Sequence, residues 1–209
     1  MSEKNILKLN GQAKRVLVRS MELILKNLQT NMEFIDDSFN DTQKFIDIAH
    51  NGLINKRKFF LLASGRSAMI LQCFATRLVH LGAEIYMVSN LGSIPALKKE
   101  DLLIVLSGSG TTSIVISLLK DYVKAIKPYK VVAITSHPDA EVGNYADLKI
   151  KLIGRTKKDK DQSEDAILTP EGTMFEQVAF TYLDAIIAEL AIKLGKTNED
   201  LLRAHAQGV

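Results

Sequence analysis

Small and hydroxyl-bearing residues are concentrated in Ser107-Gly-Ser-Gly-Thr-Thr112, here called the hydroxyl loop. The loop follows an apolar run typical of a buried parallel strand and precedes an apolar pattern typical of a helix. Free backbone N–H groups and the positive end of the helix dipole converge at such a junction. The glycines let the backbone approach a bound group, and Ser107, Ser109 and Thr112 can donate hydrogen bonds to a phosphate oxygen. Thr111 belongs to the same predicted site.

The simpler alternative for the hydroxyl loop is an ordinary strand-to-helix turn that a Ser or Thr side chain caps. The loop matches neither the GxGxxG pattern nor the GxxxxGK(S/T) pattern. It therefore favours a small phosphorylated molecule over a dinucleotide or a nucleoside triphosphate.

The turn Gly65-Arg66-Ser67 offers a cation at the end of an earlier predicted strand. The carboxyl ends of neighbouring parallel strands lie at one edge of a sheet, so a guanidinium and a hydroxyl here can reach the same phosphate. The alternative is that Arg66 is a surface charge. We predict the ligand role, because Arg66 stands between Gly and Ser at a strand end.

Glu176 has two interpretations. It stands three residues after Thr173, at the start of the last long predicted helix, which is the spacing of a capping box. It is also a carboxylate at a helix start that faces the mouth of the sheet, able to move a proton between adjacent carbons of a sugar. The sequence leaves both roles open, and they are compatible if the preceding loop opens and closes.

His80 is one of four histidines in the chain and shares a polar stripe with Gln72 and Thr76 at helical spacing. At about 1.5 Å per residue, a helix that begins at Arg66 places His80 roughly 20 Å from that turn. His80 is therefore too far to reach its own site. The stripe indicates a subunit contact or a neighbour's site, and core or interface packing remains the alternative.

The other histidines are less informative. His205, in the C-terminal tail, acts as an acid or base only if the tail folds over a site. His50 and His137 adjoin turn signals and are expected at the surface.

The elements that must position these residues alternate between strands and helices. Apolar runs predict strands at 58–64, 84–89, 102–106, 130–135 and 148–152, and helical periodicity predicts helices at 68–81, 114–127 and 173–194. Such alternation indicates a doubly wound α/β fold, a parallel sheet covered by helices on both faces. Ligands bind such sheets at the carboxyl ends of the strands, where both Gly/Ser turns fall.

Two predicted helices precede this alternation. One spans about 8–34, and the other begins near Asp41, where Asp41 or Thr42 can cap it, and ends at Asn51-Gly52. We predict an N-terminal helical extension at 1–55 and the α/β domain, with the last helix and the tail, at 56–209. The polar segment 154–172 is predicted to be a mobile loop able to close over the site.

Length and composition predict a globular protein: 209 residues, 46% hydrophobic and 24% charged, with a net charge of +3. Acidic residues dilute the basic run at 155–160, which we interpret as a solvated loop and not a nucleic-acid patch. Cys73 is the one cysteine, which excludes an internal disulfide and a Cys-based zinc cluster and fits a reducing compartment. We find no membrane-spanning window and no signal peptide, so a cytoplasmic protein is expected.

Taken together, these motifs resemble the 6-phospho-3-hexuloisomerases of the sugar isomerase (SIS) domain superfamily. The motifs that carry the resemblance cover most of the chain in the order of the family: Ala63-Ser-Gly-Arg-Ser67, Arg77-Leu-Val-His-Leu-Gly82, Leu106-Ser-Gly-Ser-Gly-Thr-Thr112, Gly172-Thr-Met-Phe-Glu176 and Arg203-Ala-His-Ala206. The hydroxyl loop alone marks only the superfamily, whereas the combination is more specific.

The resemblance implies a five-stranded parallel sheet flanked by helices and a homo-oligomer, a dimer or tetramer, with sites near subunit boundaries. It implies the interconversion of a 3-ketohexose 6-phosphate and fructose 6-phosphate, without metal or cofactor, in formaldehyde fixation or pentose supply. It makes Glu176 the base that shuttles a proton through a cis-enediol, and His80 or His205 the helper in ring opening, from a neighbouring subunit. The residues that it assigns to the phosphate or the lining of the site are Ser107, Ser109, Thr112, Gly65, Arg66 and Ser67.

The chain departs from the family pattern around the sugar and not around the phosphate. The departures are Ser64 and Ala68 in place of glycines, Gly92-Ser-Ile-Pro95 in place of a Thr-Thr-Pro segment, and Thr169-Pro170-Glu171 before the last long helix. Two alternatives therefore stay open. One is a SIS isomerase of another sugar phosphate, such as arabinose 5-phosphate. The other is a non-catalytic sugar-phosphate sensor, although we find no helix-turn-helix with a basic recognition helix.

Overall fold

Two helices, α1 (Ala13–Asp37) and α2 (Phe39–Ile54), precede the sheet in the computed structural model, which describes residues 13–88, 94–159 and 163–205. The predicted helix start near Lys8 lies outside the described residues. The predicted cap of α2 at Asp41 or Thr42 is wrong, because the helix already begins at Phe39. Thr42 is buried within α2, where its hydroxyl accepts a hydrogen bond from the hydroxyl of Tyr182 at 3.2 Å.

Five parallel strands form one sheet in the order β2-β1-β3-β4-β5, which confirms the predicted doubly wound α/β fold. The strands are β1 (Lys58–Leu62), β2 (Glu84–Met87), β3 (Leu102–Leu106), β4 (Lys130–Thr135) and β5 (Leu148–Lys151). The later helices are α3 (Arg66–His80), α4 (Ser113–Ala125), α5 (Glu164–Leu168), α6 (Thr173–Lys193) and α7 (Asn198–Arg203), with a 3-10 helix at Glu141–Tyr145.

The two faces of the sheet bury alternate residues of each strand, as the period of a strand requires. Phe59 and Leu61 of β1 face a core shared with α2, α3 and α6. Phe60 and Leu62 face a second core, built with α4 and the 3-10 helix. Every residue of β3 is buried, so this strand has protein on both faces. The apolar run that predicts β3 thus reflects its central place in the sheet.

The strand order of the sheet reverses between β1 and β3, and the site lies at this reversal. After β1 the chain moves outward to β2, and β3 then returns to pair with β1 on its other side. The segments that leave β1 and β3 therefore diverge to opposite faces, which opens a crevice at the carboxyl ends of these two strands. The Gly65-Arg66-Ser67 turn and the hydroxyl loop both lie there.

The segment 154–172, predicted to be a mobile loop, is instead partly helical and packed. It contains α5, and Leu168 and Thr169 are buried. Arg155 donates hydrogen bonds to the carbonyl oxygens of Ala166 and Thr169, and the Ser20 hydroxyl of α1 donates to the carbonyl oxygen of Leu168 at 2.6 Å. Residues 160–162 lie outside the described part of the chain.

Asn31 connects α1 to the chain that leaves β5. Its side chain is 2% exposed and is both donor and acceptor: Nδ2 donates to the carbonyl oxygen of Ile153 at 2.7 Å, and Oδ1 accepts from the N–H of Ile153 at 2.7 Å. One buried amide thus satisfies both backbone groups of Ile153. None of the helices in the described ranges combines the length and apolar content that crossing a bilayer requires.

We expect Asn31→Ala to lower the free energy of unfolding by about 1–3 kcal/mol, because it leaves the N–H of Ile153 without its partner, while the carbonyl oxygen keeps the hydrogen bond from Asn27 Nδ2 at 3.2 Å. Urea denaturation measures this loss. The matched control is Gln29→Ala, an exposed amide of the same helix, for which a change within about 0.5 kcal/mol is expected. Equal stability of the two variants would contradict the anchoring role of Asn31.

Candidate active site

A cleft of about 430 Å³ opens at the carboxyl ends of β1 and β3. It brings together residues from three parts of the chain: the turn after β1, the hydroxyl loop after β3, and the segment around the start of α6. The predicted residues that line it are Gly65, Arg66, Ser67, Ser107, Ser109, Thr112 and Glu176. The fold thus assembles most of the predicted site in one place.

The hydroxyl loop is closed by a backbone hydrogen bond from the N–H of Gly110 to the carbonyl oxygen of Ser107 at 3.1 Å. Gly110 has a φ of +64°, a conformation that favours glycine. Ser107 and Ser109 are buried, and the Ser107 and Thr112 hydroxyl oxygens lie 3.4 Å apart. The hydroxyls therefore converge on a narrow volume, as a single bound anion requires.

Thr112 immediately precedes α4, but its side chain makes no capping hydrogen bond. The ordinary capped turn, the alternative raised by the sequence, is therefore not observed. The Thr112 hydroxyl and the first N–H groups of α4 remain available to a ligand, beside the positive end of the helix dipole.

Three contacts fix the carbonyl oxygen of Gly108, in the middle of the hydroxyl loop. It accepts hydrogen bonds from the Thr135 hydroxyl and from the N–H of Ser136, both at 3.1 Å, and it lies 3.1 Å from Nδ1 of His137. These contacts tie the loop to the end of β4. The loop is therefore preorganised, so little ordering entropy is lost when an anion binds.

Glu176 forms an ion pair with Arg66 across the cleft, with 2.6 Å between Oε2 and Nε. The Glu176 side chain is 13% exposed and the Arg66 side chain 67% exposed. The cap residue of α6 is Gly172, with no side-chain capping bond, and Thr173 donates instead to the carbonyl oxygen of Pro170 at 2.7 Å. The capping-box interpretation of Glu176 is therefore wrong, and its carboxylate faces the cleft.

Thr111 does not line the cleft with the rest of the hydroxyl loop. Its N–H and hydroxyl each lie 3.5 Å from the hydroxyl oxygen of Ser109. Thr111 therefore contacts a lining residue and does not itself face the cavity.

His80 and His205 lie together but outside the cleft of their own chain. Their ring centroids are 4.5 Å apart, because the tail after α7 folds back over the end of α3. Burial, His205 and Arg77 lower the pKa of His80, which favours the neutral imidazole. Nδ1 of His80 is buried and has no hydrogen-bond partner within the described residues. The distance argument from the sequence holds: His80 does not reach its own site.

His137, expected at the surface, is instead half-buried and connected at both ring nitrogens. Nδ1 faces the carbonyl oxygen of Gly108, and Nε2 lies 3.3 Å from the carboxylate of Asp159. His50 is also half-buried. A neighbouring turn signal in the sequence does not reveal such contacts, because their partners lie far along the chain.

Several lining residues were not predicted as site residues. They are Leu106, Gly108, Thr156, Lys157, Gly172, Thr173 and Phe175, and three of the positions noted as departures from the family pattern, Ser64, Pro170 and Glu171, also line the cleft. Thr156 and Lys157 fall in the basic run interpreted as a solvated loop. Glu171 adopts a φ of +56°, which is unusual for a residue with a side chain and typical of functional sites. Leu106, Gly108, Gly172, Thr173 and Phe175 lie within the motifs quoted above, and for Thr156 the available signal was its place after the carboxyl end of a predicted strand.

The donors around the cleft suit an anion. Hydroxyl groups, backbone N–H groups and two cationic side chains surround the hydroxyl loop. Within the described ranges, no group of three or more His, Cys, Asp or Glu side chains is placed to hold a metal ion.

Comparison with known proteins places these features in a family. The SIS domain model matches residues 52–168. The chain is similar to the 3-hexulose-6-phosphate isomerase of Methanocaldococcus jannaschii, with 36% identity over 192 residues, 90% of this chain and 93% of that protein.

Two solved structures share the fold. One is a hypothetical protein of Methanococcus jannaschii, whose crystal structure infers a molecular function of 3-hexulose-6-phosphate isomerase; it superposes with a TM-score of 0.74 at 30% identity and covers 91% of this chain and 99% of its own. The other is a protein of Escherichia coli, with a TM-score of 0.72 at 17% identity, covering 99% of this chain and 100% of its own. At this low identity the second likeness concerns the fold alone.

We expect Gly108→Ala to distort the hydroxyl loop, because a Cβ atom there would lie 2.7 Å from Cδ1 of the buried Phe175 ring. Overpacking of this kind costs about 1–3 kcal/mol of unfolding free energy, which thermal and urea denaturation measure. Phe175→Leu relieves the contact but also removes buried apolar surface, so the single and double variants are compared as a cycle: the loss caused by Gly108→Ala is expected to be smaller in the Phe175→Leu background. An equal loss in both backgrounds would show that this contact is not the cause.

Proposed function

Because this chain belongs to the SIS domain family and, within it, to the 3-hexulose-6-phosphate isomerases, we propose that it interconverts 3-hexulose 6-phosphate and fructose 6-phosphate. The observation that carries the proposal is the position of the Glu176 carboxylate in the same cleft as the hydroxyl loop. An anion site and a candidate base that share one cavity suit proton transfer on a phosphorylated substrate. The named relatives then specify the sugar.

In the proposed mechanism the hydroxyl loop binds the 6-phosphate, which leaves the sugar carbons to extend toward Glu176. Starting from fructose 6-phosphate, the Glu176 carboxylate removes the proton of C3 while the C2 carbonyl oxygen gains a proton, which gives a cis-enediol. The protonated Glu176 returns its proton to C2, and the C3 hydroxyl loses its proton as the C3 carbonyl forms. One carboxylate can serve both steps, because the proton moves between adjacent carbons on one face of the sugar.

Arg66 supports this role by its contact with the base. Its Nε–H donates to Glu176 Oε2 at 2.6 Å. A charge-assisted bond of this length orients the carboxylate, so that the other oxygen, Oε1, is held beside the backbone of Gly172 at the wall of the cleft. The ion pair therefore acts as a positioning contact for the proposed base.

We assign assistance in ring opening to His80 or His205 of a neighbouring subunit. Two observations support this assignment: the pair lies outside its own cleft, and Nδ1 of His80 is buried without a partner in the described part of the chain. The lowered pKa of His80 keeps its imidazole neutral near neutral pH, which a proton acceptor requires. Large apolar side chains exposed on the outer helices also support a homo-oligomer; they include Leu17, Met21, Leu25, Met32, Met69 and Val79.

Membership of the family supports proposals about the compartment and the pathway of the enzyme. We propose a cytoplasmic enzyme of formaldehyde fixation or pentose supply, in line with the free and exposed thiol of Cys73. An isomerase of another sugar phosphate and a non-catalytic sensor are the competing proposals. A sensor needs no base, so the role of Glu176 separates it from an enzyme.

We expect Glu176→Gln to slow the exchange of the fructose 6-phosphate C3 proton with deuterated water by roughly 10²- to 10⁴-fold, because the amide cannot accept the proton. Proton NMR follows the exchange at each carbon. The fold is expected to persist, since a glutamine oxygen can still accept the hydrogen bond from Arg66. Glu189→Gln, an exposed carboxylate of the same helix, is the matched control and should exchange at the wild-type rate.

Three other outcomes of this experiment are informative. Exchange lost in Glu171→Gln but kept in Glu176→Gln would move the base to the other carboxylate of the cleft. Exchange of the C1 protons in place of the C3 proton would indicate an isomerase that acts on a different carbon pair. Binding of fructose 6-phosphate without any exchange would favour a sensor.

We expect two inactive variants, Glu176→Gln and His80→Gln, to regain isomerase activity when they are unfolded and refolded together. In a mixed oligomer, a site at the boundary can combine the intact Glu176 of one subunit with the intact His80 of its neighbour. Repeating the mixture with His205→Gln tells which histidine takes part. If both histidine variants are inactive alone and neither mixture regains activity, each histidine is needed within its own subunit and not at the site of its neighbour.

A further inference from the structure

We propose that Lys157 is a substrate-binding residue, whose ammonium group binds the sugar phosphate together with the hydroxyl loop, and that Asp159 and His137 position it there. The inference rests on the proposed function, because it adds a ligand to the same cleft. It concerns a residue that the sequence pattern assigned to a solvated loop.

The distribution of charge in the cleft favours Lys157 as the ligand of an anion. The charged side chains that line it are Arg66, Lys157, Glu171 and Glu176. Arg66 already pairs with Glu176, which partly neutralises its charge. Lys157 makes no hydrogen bond or ion pair with any residue in the described ranges, and its side chain is exposed at the rim. Among the cations of the cleft, Lys157 is therefore the one available to a new anion.

A phosphate group in the cleft needs a balancing positive charge. A phosphate monoester carries a charge of about −1.5 to −2 at neutral pH. Neutral hydroxyls and backbone N–H groups of the hydroxyl loop can satisfy its oxygens but supply no full positive charge. Lys157 supplies a full positive charge in the same cleft, and its flexible ammonium group can follow the phosphate oxygens.

The backbone around Lys157 is held in a fixed turn. The Asp159 carboxylate accepts hydrogen bonds from the N–H of Thr156 at 2.6 Å and from its hydroxyl at 3.0 Å. The N–H of Asp159 donates in return to the carbonyl oxygen of Thr156 at 3.0 Å. Thr156 is buried, so the turn 156–159 has one buried end and presents Lys157 to the cleft.

This turn is connected to the hydroxyl loop through His137. The His137 ring lies between them, with Nε2 at 3.3 Å from Asp159 Oδ1 and Nδ1 at 3.1 Å from the carbonyl oxygen of Gly108. Burial acts to raise the pKa of Asp159, but the hydrogen bonds from Thr156 and the nearby His137 outweigh it and lower the pKa. An ionised Asp159 thus fixes the two walls of the proposed phosphate site relative to each other.

The experiment compares Lys157→Ala with Lys158→Ala, an exposed lysine of the same turn that does not line the cleft. Isothermal calorimetry measures the Kd of inorganic phosphate and of fructose 6-phosphate, and isomerase assays give kcat and KM. We expect Lys157→Ala to raise both Kd values and KM by about tenfold, the size of one partly exposed charge-assisted contact, with kcat within about threefold of wild type. Lys158→Ala should match wild type, and Lys157→Arg should restore part of the affinity.

The positioning role is tested by Asp159→Asn, alone and combined with Lys157→Ala. If Asp159 acts through Lys157, the single variant raises the Kd of phosphate severalfold, whereas the double variant binds no worse than Lys157→Ala. Losses that add in the double variant would overturn the positioning role.

Two results would overturn the role of Lys157 itself. Unchanged affinity for both ligands in Lys157→Ala would show that the ammonium group does not bind the phosphate. A lower kcat with unchanged Kd and KM would place it at the reacting atoms instead. The test separates this inference from the proposed function. If the wild-type protein turns over no fructose 6-phosphate, the isomerase proposal is refuted. Weaker phosphate binding by Lys157→Ala than by the wild type would still support Lys157 as a binding residue.

Discussion

The rest of the structure depends on the parallel pairing of β1 with β3 at the point where the strand order reverses. Both strands are buried along almost their whole length, so the hydrophobic effect fixes their register and the place where each ends. The chain leaves β1 and β3 toward opposite faces, and no crossover fills the gap between the two departing segments. The cleft is therefore a consequence of topology, and the side chains at the two strand ends decide its chemistry.

The cleft combines two kinds of polar group. The Arg66–Glu176 ion pair holds a carboxylate in a defined orientation, largely shielded from solvent. In the same cleft, hydroxyls and backbone N–H groups form a neutral, preorganised cradle. This combination suits a substrate that carries both a fixed anion and a proton to be moved. A carboxylate next to the phosphate would repel it, and the ion pair reduces that cost.

The N-terminal helices contribute to the site although none of their residues lines the cleft. Asn27 and Asn31 of α1 bond the backbone at Ile153 and Met174, on either side of the segment that carries Thr156 and Lys157. Phe45 and Ile46 of α2 belong to the same core as the strands. The lining segment that carries Thr156 and Lys157 is thus supported from the N-terminal helices, by contacts between residues more than a hundred positions apart.

The sequence by itself determined the α/β fold and the strand positions to within two residues, and it predicted that the hydroxyl loop, Arg66 and Glu176 share one candidate site, because these depend on local periodicity and on the rule that strand ends bind ligands. Only the tertiary structure decided that Glu176 pairs with Arg66 and caps no helix. It also decided that the His205 ring packs against the His80 ring, and that His137 connects Asp159 to the hydroxyl loop. Each of these contacts joins residues distant in sequence. Neither propensity nor spacing encodes such contacts, since the packing of the whole core fixes which distant side chains meet.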